Sequence, residues 1–158
     1  MNGFRALMIS TGVLLLIHLP GAYLTGTGFL FPDLTLVSLI LVSKRLKPRQ
    51  AMAAGFAAGL FQDLFAGSLL GIFALAKTAS CFAAVKFHAA LSPEHDLARM
   101  TSLVIPAVIH FSLVFAIRFP AAGLFRLILL YLLPPLTVTV CALLITDAAA
   151  RRYWRMPA

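Results

Sequence analysis

Long apolar stretches separated by very short polar ones constrain this chain more than any other feature. They are residues 6–24, 29–43, 50–66, 69–88, 100–117 and 124–147. A helix needs about 20 mostly apolar residues to cross about 30 Å of hydrocarbon, and the runs lack the alternation of barrel strands. Only 11% of the residues are charged and 61% are hydrophobic, which argues against a soluble domain. We therefore predict an all-α integral membrane protein, with residues 1–158 as one domain of six transmembrane helices.

The basic residues fall mainly on one side of this predicted membrane. If the N-terminus is inside, the inner face carries Arg5, Lys44, Arg45, Lys47, Arg49, Lys86, Arg99, Arg151, Arg152 and Arg155, and the outer face carries Arg118 and Arg126. Cytoplasmic loops are enriched in Lys and Arg, so we predict that both termini lie in the cytoplasm. The net charge of +8 then indicates contact of the basic cytoplasmic loops with anionic lipid rather than with nucleic acid.

Proline and glycine mark the predicted ends and breaks of the spans. Pro32 suits the first turn of the second span, where its missing N–H costs nothing, and Asp33 beside it is favoured by the helix dipole. The pair Gly67–Ser68 predicts a tight break between the third and fourth spans. Pro106 is expected to interrupt the fifth span, and Pro134–Pro135 to break the sixth.

The stretch GFAAGLFQDLFAGSLLG places Gly55, Gly59, Asp63, Gly67 and Gly71 at every fourth position. Glycines at this spacing let membrane helices approach closely, so the third and fourth spans are predicted to pack tightly and to offer a groove to a partner helix. A carboxylate at mid-membrane costs about 2.5–3.5 kcal/mol on insertion scales. Two interpretations of this carboxylate stay open. It accepts the N–H groups that open the fourth helix, or it binds an ion, a substrate or a partner.

Other buried polar residues offer no catalytic set. Lys77 lies near the middle of its span and needs a counter-ion or a route to water, but the sequence does not identify its partner, because Asp63 lies at another depth and Asp147 lies nearer the inner face. The lone histidines His18 and His110 are interpreted as interhelical hydrogen-bonding residues, since no metal-ligand spacing is present. Known catalytic motifs are also missing, so we predict a protein that is not an enzyme and needs no cofactor or metal.

Residues 31–75, FPDLTLVSLILVSKRLKPRQAMAAGFAAGLFQDLFAGSLLGIFAL, resemble the MreD family of rod-shape membrane proteins. The resemblance rests on a Pro-Asp pair that opens the second span, a basic loop, and the pattern G-x-x-x-G-x-x-x-D-L-x-x-G-x-x-x-G. It places Pro32 and Asp33 at the motif's opening. At its core it places the residues that we call the glycine ladder: Gly55, Gly59, Asp63, Gly67 and Gly71. It assigns chemistry to none of them. Lys77 in mid-span and Gln62 depart from many relatives.

The resemblance implies a multi-pass protein of the bacterial inner membrane and a set of partners. It implies binding to MreC, a single-span protein with a periplasmic domain. It also implies membership of the elongasome, with MreB, RodA and the elongation-specific penicillin-binding transpeptidase. The implied role is to organise or regulate lateral peptidoglycan synthesis and rod shape without a reaction of its own. The implied fold resembles the S component of energy-coupling-factor transporters.

Two other functions are alternatives to this scaffold role. A vitamin-binding transporter subunit of the S-component kind is compatible with six spans, broken helices and the buried polar residues Asp63, Lys77 and His110. A membrane enzyme acting on lipid would need several acids or histidines converging near one face, whereas the chain's five acids are scattered.

Overall fold

The computed structural model describes residues 33–66, 69–91, 96–118 and 133–154. All the regular structure in these ranges is helical: α1 (Leu34–Ser43), α2 (Pro48–Ala66), α3 (Ile72–Ala90), α4 (Asp96–Arg118) and α5 (Leu133–Trp154). The all-α prediction is therefore confirmed for this part of the chain. The predicted first span, residues 6–24, lies outside the described residues, so the count of six spans stays a prediction.

Two of the described helices, α3 and α4, are long and apolar enough to cross a membrane by length and composition. The helix α1 and the segment Pro135–Asp147 are apolar but shorter. The surfaces of the helices carry large apolar side chains: Phe56, Leu64, Phe65, Leu75 and Ile145 are each more than half exposed. Meanwhile, Asp33, Asp63, Lys77 and His110 are buried. Buried charged residues under an apolar exterior suit a lipid environment, because in water charged side chains would favour the surface.

The ends of α1 and α2 follow from local capping. The carboxylate of Asp33 accepts a hydrogen bond from the N–H of Leu36 at 2.9 Å, which caps α1 at its N-terminus. At the start of α2, the N–H of Lys47 donates to the side-chain oxygen of Gln50 at 3.3 Å. Pro48 is the first residue of α2, where a missing N–H leaves no hydrogen bond unmade.

The expected interruption of the fifth span at Pro106 was wrong. Helix α4 runs without a break from Asp96 to Arg118 and contains Pro106. The apolar stripe of Leu103, Ala107 and Phe111 continues across Pro106 and packs in the core, so burial on both sides outweighs one lost hydrogen bond. The pair Pro134–Pro135 lies in the first turn of α5, which begins at Leu133, where missing N–H groups leave no helical hydrogen bond unmade. Residues 119–132 lie outside the described residues, so the break of the sixth span stays a prediction.

The main core forms around α1. Eight of its ten residues are buried, and it contacts α2, α3, α4 and α5. The core cluster consists of Leu36, Val37, Ile40, Ala84, Leu103, Ala107, Phe111 and Leu143. Helix α2 lies at the edge of the described bundle and packs chiefly against α3. This arrangement places the N-terminal end of α1 inside the protein, surrounded by the other helices.

Candidate functional site

Two glycines of the ladder form the contact between α2 and α3. A Cβ atom added to Gly55 would lie 2.7 Å from the carbonyl oxygen of Lys77 and 2.9 Å from Sγ of Cys81. A Cβ atom added to Gly59 would overlap the backbone of Phe73 and Ala74. At these two positions the glycine side of α2 is therefore occupied by α3, and the groove for a partner helix stays a prediction.

Asp63 lies beyond these glycines and receives the first N–H groups of α3. Its Oδ2 accepts from Gly71 at 3.0 Å and from Ala74 at 3.1 Å, and its Oδ1 accepts from Phe73 at 3.1 Å. Gly71 itself has a φ of +104°, a backbone conformation that costs glycine little. These N–H groups have no partner inside the helix, and a carboxylate at a helix N-terminus is favoured by the dipole. The hydrogen bonds support the turn-fixing interpretation of Asp63, while a contact with a partner stays a prediction.

A second set of polar residues meets at the N-terminal end of α1. We call this set the polar centre, and it consists of Asp33, Lys77, His110 and Thr139. Lys77 Nζ lies 2.6 Å from Asp33 Oδ2, and His110 Nε2 lies 3.5 Å from the same oxygen. The backbone N–H of Asp33 donates to Thr139 Oγ1 at 3.3 Å. The polar centre thus joins the start of α1 to α3, α4 and α5.

Burial of the polar centre is nearly complete. The relative exposure is 0% for Lys77 and Thr139, 1% for His110 and 5% for Asp33. Two opposite charges at this distance attract strongly in a low-dielectric interior, but each has lost its hydration. Removing only one of them would leave the other buried without compensation. The arrangement can therefore hold four helices in one geometry, and the two formal charges cancel each other.

Counting depth along the helices limits the candidate counter-ions of Lys77 but does not identify one. Asp33 lies ten residues before the inner end of α1, or about 15 Å. Lys77 lies 13 residues before the end of α3 at Ala90, or about 20 Å. Asp63 lies 15 residues from the start of α2 at Pro48, or about 22 Å, so its count matches that of Lys77 at least as well as the count of Asp33 does. Depth alone therefore does not single out Asp33, and the pairing depends on how the helices are arranged.

A third group of charges lies at the end of the bundle that is predicted to be cytoplasmic. Asp147 Oδ1 lies 3.5 Å from Lys44 Nζ, and Asp147 Oδ2 lies 3.3 Å from Arg99 Nε. Arg99 also contacts Asp96 at 2.6 Å. These pairs bring the end of α1 and the first turn of α4 to the same side of the protein. That placement is in keeping with the predicted inner location of Lys44 and Arg99.

The remaining predicted site residues are not assembled into a reactive centre in the described ranges. Pro32, Gly67 and His18 lie outside those ranges. Cys81 is buried and Cys141 exposed, and both are free thiols. No group of three or more His, Cys, Asp or Glu side chains suited to a metal ion occurs among the described residues.

Buried charges inside and apolar side chains outside define the class of this chain, which is a helical membrane protein. A family model described as rod shape-determining protein MreD matches residues 3–142. The chain belongs to this family, as its resemblance over residues 31–75 predicted. No curated protein and no solved structure matches the chain, and the likeness to transporter S components stays a prediction.

Proposed function

We propose that the chain is a non-enzymatic subunit of the bacterial elongasome that binds an MreC-like single-span protein. In this role it helps to organise or regulate lateral peptidoglycan synthesis in the inner membrane, together with MreB, RodA and the elongation-specific transpeptidase. The observation that carries the proposal is the match of residues 3–142 to the MreD family, a family that determines rod shape.

The use of the buried carboxylates supports a scaffold role. Asp63 accepts three backbone N–H groups, and Asp33 is engaged by Leu36 and Lys77. Catalytic acids and bases are instead expected in a cleft with access to substrate. Both carboxylates hold helices in place. A scaffold that organises its partners without catalysis requires such fixed geometry.

The partner surface is proposed to lie away from the glycines. Because Gly55 and Gly59 face α3, these two residues influence a partner only through the shape of the α2–α3 hairpin. The opposite side of α2 carries Phe61, Leu64 and Phe65, which are 39–62% exposed. Nothing in the described residues or in the comparisons favours the vitamin-binding alternative.

The proposal is tested by replacing the resident family member of a rod-shaped bacterium with a tagged copy of this chain. We expect rod width to be restored. We also expect gentle purification followed by mass spectrometry to recover a single-span periplasmic protein and wall-synthesis enzymes. A Gly59→Leu copy, which disrupts the hairpin, serves as the inactive control. Rounded cells together with a stoichiometric vitamin and ATPase subunits would instead identify a transporter subunit.

A further inference from the structure

The cations at the basic end of the bundle fall into two groups. Lys44 and Arg99 are paired with Asp147, and their side chains are only 10% and 16% exposed. Lys47, Arg49 and Lys86 are exposed, and within the described ranges none of these three forms an ion pair with a carboxylate. The first group stabilises the fold. The second group presents positive charge outward.

These three cations lie at a similar level on two neighbouring antiparallel helices. Gly55 is opposite the segment from Lys77 to Cys81 on α3. One turn closer to the basic end, Ala51 belongs to the same packed cluster as Val85. The next positions toward that end are Arg49 on α2 and Lys86 on α3. The end of the α2–α3 hairpin therefore concentrates the charge of Lys47, Arg49 and Lys86.

The first turn of α2 adds to this positive potential. It contains no acidic residue, although negative charge is the usual complement to the positive end of a helix dipole. Arg49 lies in that turn and Lys47 immediately precedes it, together with backbone N–H groups that have no partner within the helix. Like charges at this end repel one another, and an anion from outside the protein would relieve the repulsion.

Apolar side chains lie immediately below the cations. Met52, Phe56 and Phe82 are 37%, 52% and 42% exposed. The Lys86 ammonium lies 5.7 Å from the centre of the Phe82 ring, which is within the range of a cation–π contact. Cations above exposed apolar surface match an amphipathic ligand with an anionic head and hydrocarbon chains. A small soluble anion has no hydrocarbon chain to pack against these apolar side chains.

We propose that this end of the α2–α3 hairpin binds an anionic phospholipid of the inner leaflet. Lys47, Arg49 and Lys86 surround the phosphate, and Met52, Phe56 and Phe82 contact the acyl chains. The inference rests on the proposed membrane topology and requires no partner protein. It assigns a defined lipid position to one helix hairpin, where the basic composition alone indicates only a general attraction.

The test compares two double variants that remove the same charge from opposite ends of the protein. Arg49→Gln/Lys86→Gln alters the proposed lipid site, and Arg118→Gln/Arg126→Gln alters the predicted outer side. Each full-length protein is titrated with phosphatidylglycerol against a phosphatidylcholine background, and bound lipid is counted by native mass spectrometry. One basic residue near an anionic lipid surface contributes about fivefold in affinity, so the first variant should bind phosphatidylglycerol about 25-fold more weakly. The second should bind it like the unaltered chain.

Further variants and a competition experiment identify the source of the lipid binding. Arg49→Lys/Lys86→Arg keeps both charges and should retain lipid binding, and unchanged thermal unfolding of each variant excludes misfolding. Inorganic phosphate at equal ionic strength should displace little lipid if the acyl chains contribute. Equal phosphatidylglycerol binding by the two neutralised variants, or full displacement by phosphate, would overturn the proposal. Neither result would bear on shape determination, which is measured in cells.

Discussion

Lys77 on α3 and Asp33 at the start of α1 are 44 positions apart in the chain, yet their charged atoms lie 2.6 Å apart. His110 on α4 approaches the same carboxylate oxygen, and the backbone N–H of Asp33 reaches Thr139 on α5. The geometry of four helices therefore depends on one residue, Asp33.

The first prediction concerns the balance of charge in the polar centre. Lys77→Met should destabilise the protein by about 3–5 kcal/mol, because it leaves the Asp33 carboxylate buried without its counter-ion. Asp33→Asn/Lys77→Met should recover most of this loss, since asparagine can still cap α1 and no net charge stays buried. Unfolding in detergent, followed as a double-mutant cycle, measures the coupling. A double variant as unstable as Lys77→Met would show that the ion pair is not the cause.

A second prediction concerns the turn between α2 and α3. Asp63→Ala should cost about 2–3 kcal/mol, because buried donors that lose their acceptor cost about 1–3 kcal/mol each and water near the membrane surface replaces part of the loss. Asp63→Asn keeps one acceptor oxygen and should lie between Ala and the unaltered chain. Amide hydrogen exchange at Gly71, Phe73 and Ala74 should accelerate in the same order. Protection that is unchanged in Asp63→Ala would contradict the role of this carboxylate.

The third prediction tests the close approach of the two helices. Gly59→Leu should lower stability by at least about 3 kcal/mol, the upper part of the range for overpacking, because even a Cβ atom at this position overlaps the backbone of α3. Ala57→Leu adds the same side chain on the exposed side of α2 and should behave like the unaltered chain. Thermal aggregation monitored by size-exclusion chromatography distinguishes them. Equal losses in both variants would mean that added bulk anywhere on α2 is harmful.

A fourth prediction concerns the charges at the basic end. Asp147→Asn should cost about 1 kcal/mol at low salt and less at high salt, because its ion pairs with Lys44 and Arg99 are only partly shielded from solvent. Asp96→Asn is the matched control, since the Asp96 side chain is 77% exposed and its pair should contribute almost nothing. Denaturation midpoints at two ionic strengths measure the difference. A salt-independent loss in Asp147→Asn would indicate a packing effect rather than an electrostatic one.

Local relationships could be predicted from the sequence. The cap formed by Asp33 and the bonds from Asp63 to the start of α3 span at most 11 positions, and helix geometry alone brings such groups together. The spacing of the glycines likewise indicated the close packing of α2 against α3. In each case, the residue types and their separation specify the contact without knowledge of the overall topology.

Relationships across the bundle could not be predicted in the same way. The pairing of Asp33 with Lys77 and Thr139 depends on how four helices are arranged, and no local pattern encodes that arrangement. The effect of Pro106 also depended on tertiary packing, because burial of Leu103 and Phe111 on either side keeps α4 continuous. Proline removes one backbone hydrogen bond from a helix, and packing against the neighbouring helices determines whether the helix breaks there.

The order of the polar centre along the chain has a consequence for biogenesis. Ribosomes add about 5–20 residues per second, so about 2–9 seconds separate the synthesis of Asp33 from that of Lys77. During this interval the Asp33 carboxylate lacks the Lys77 ammonium that pairs with it in the folded protein. The contact between Asp33 and Lys77 therefore forms only after α3 is made. Helix α1 reaches its final packing only when the helices that follow it in the chain are present.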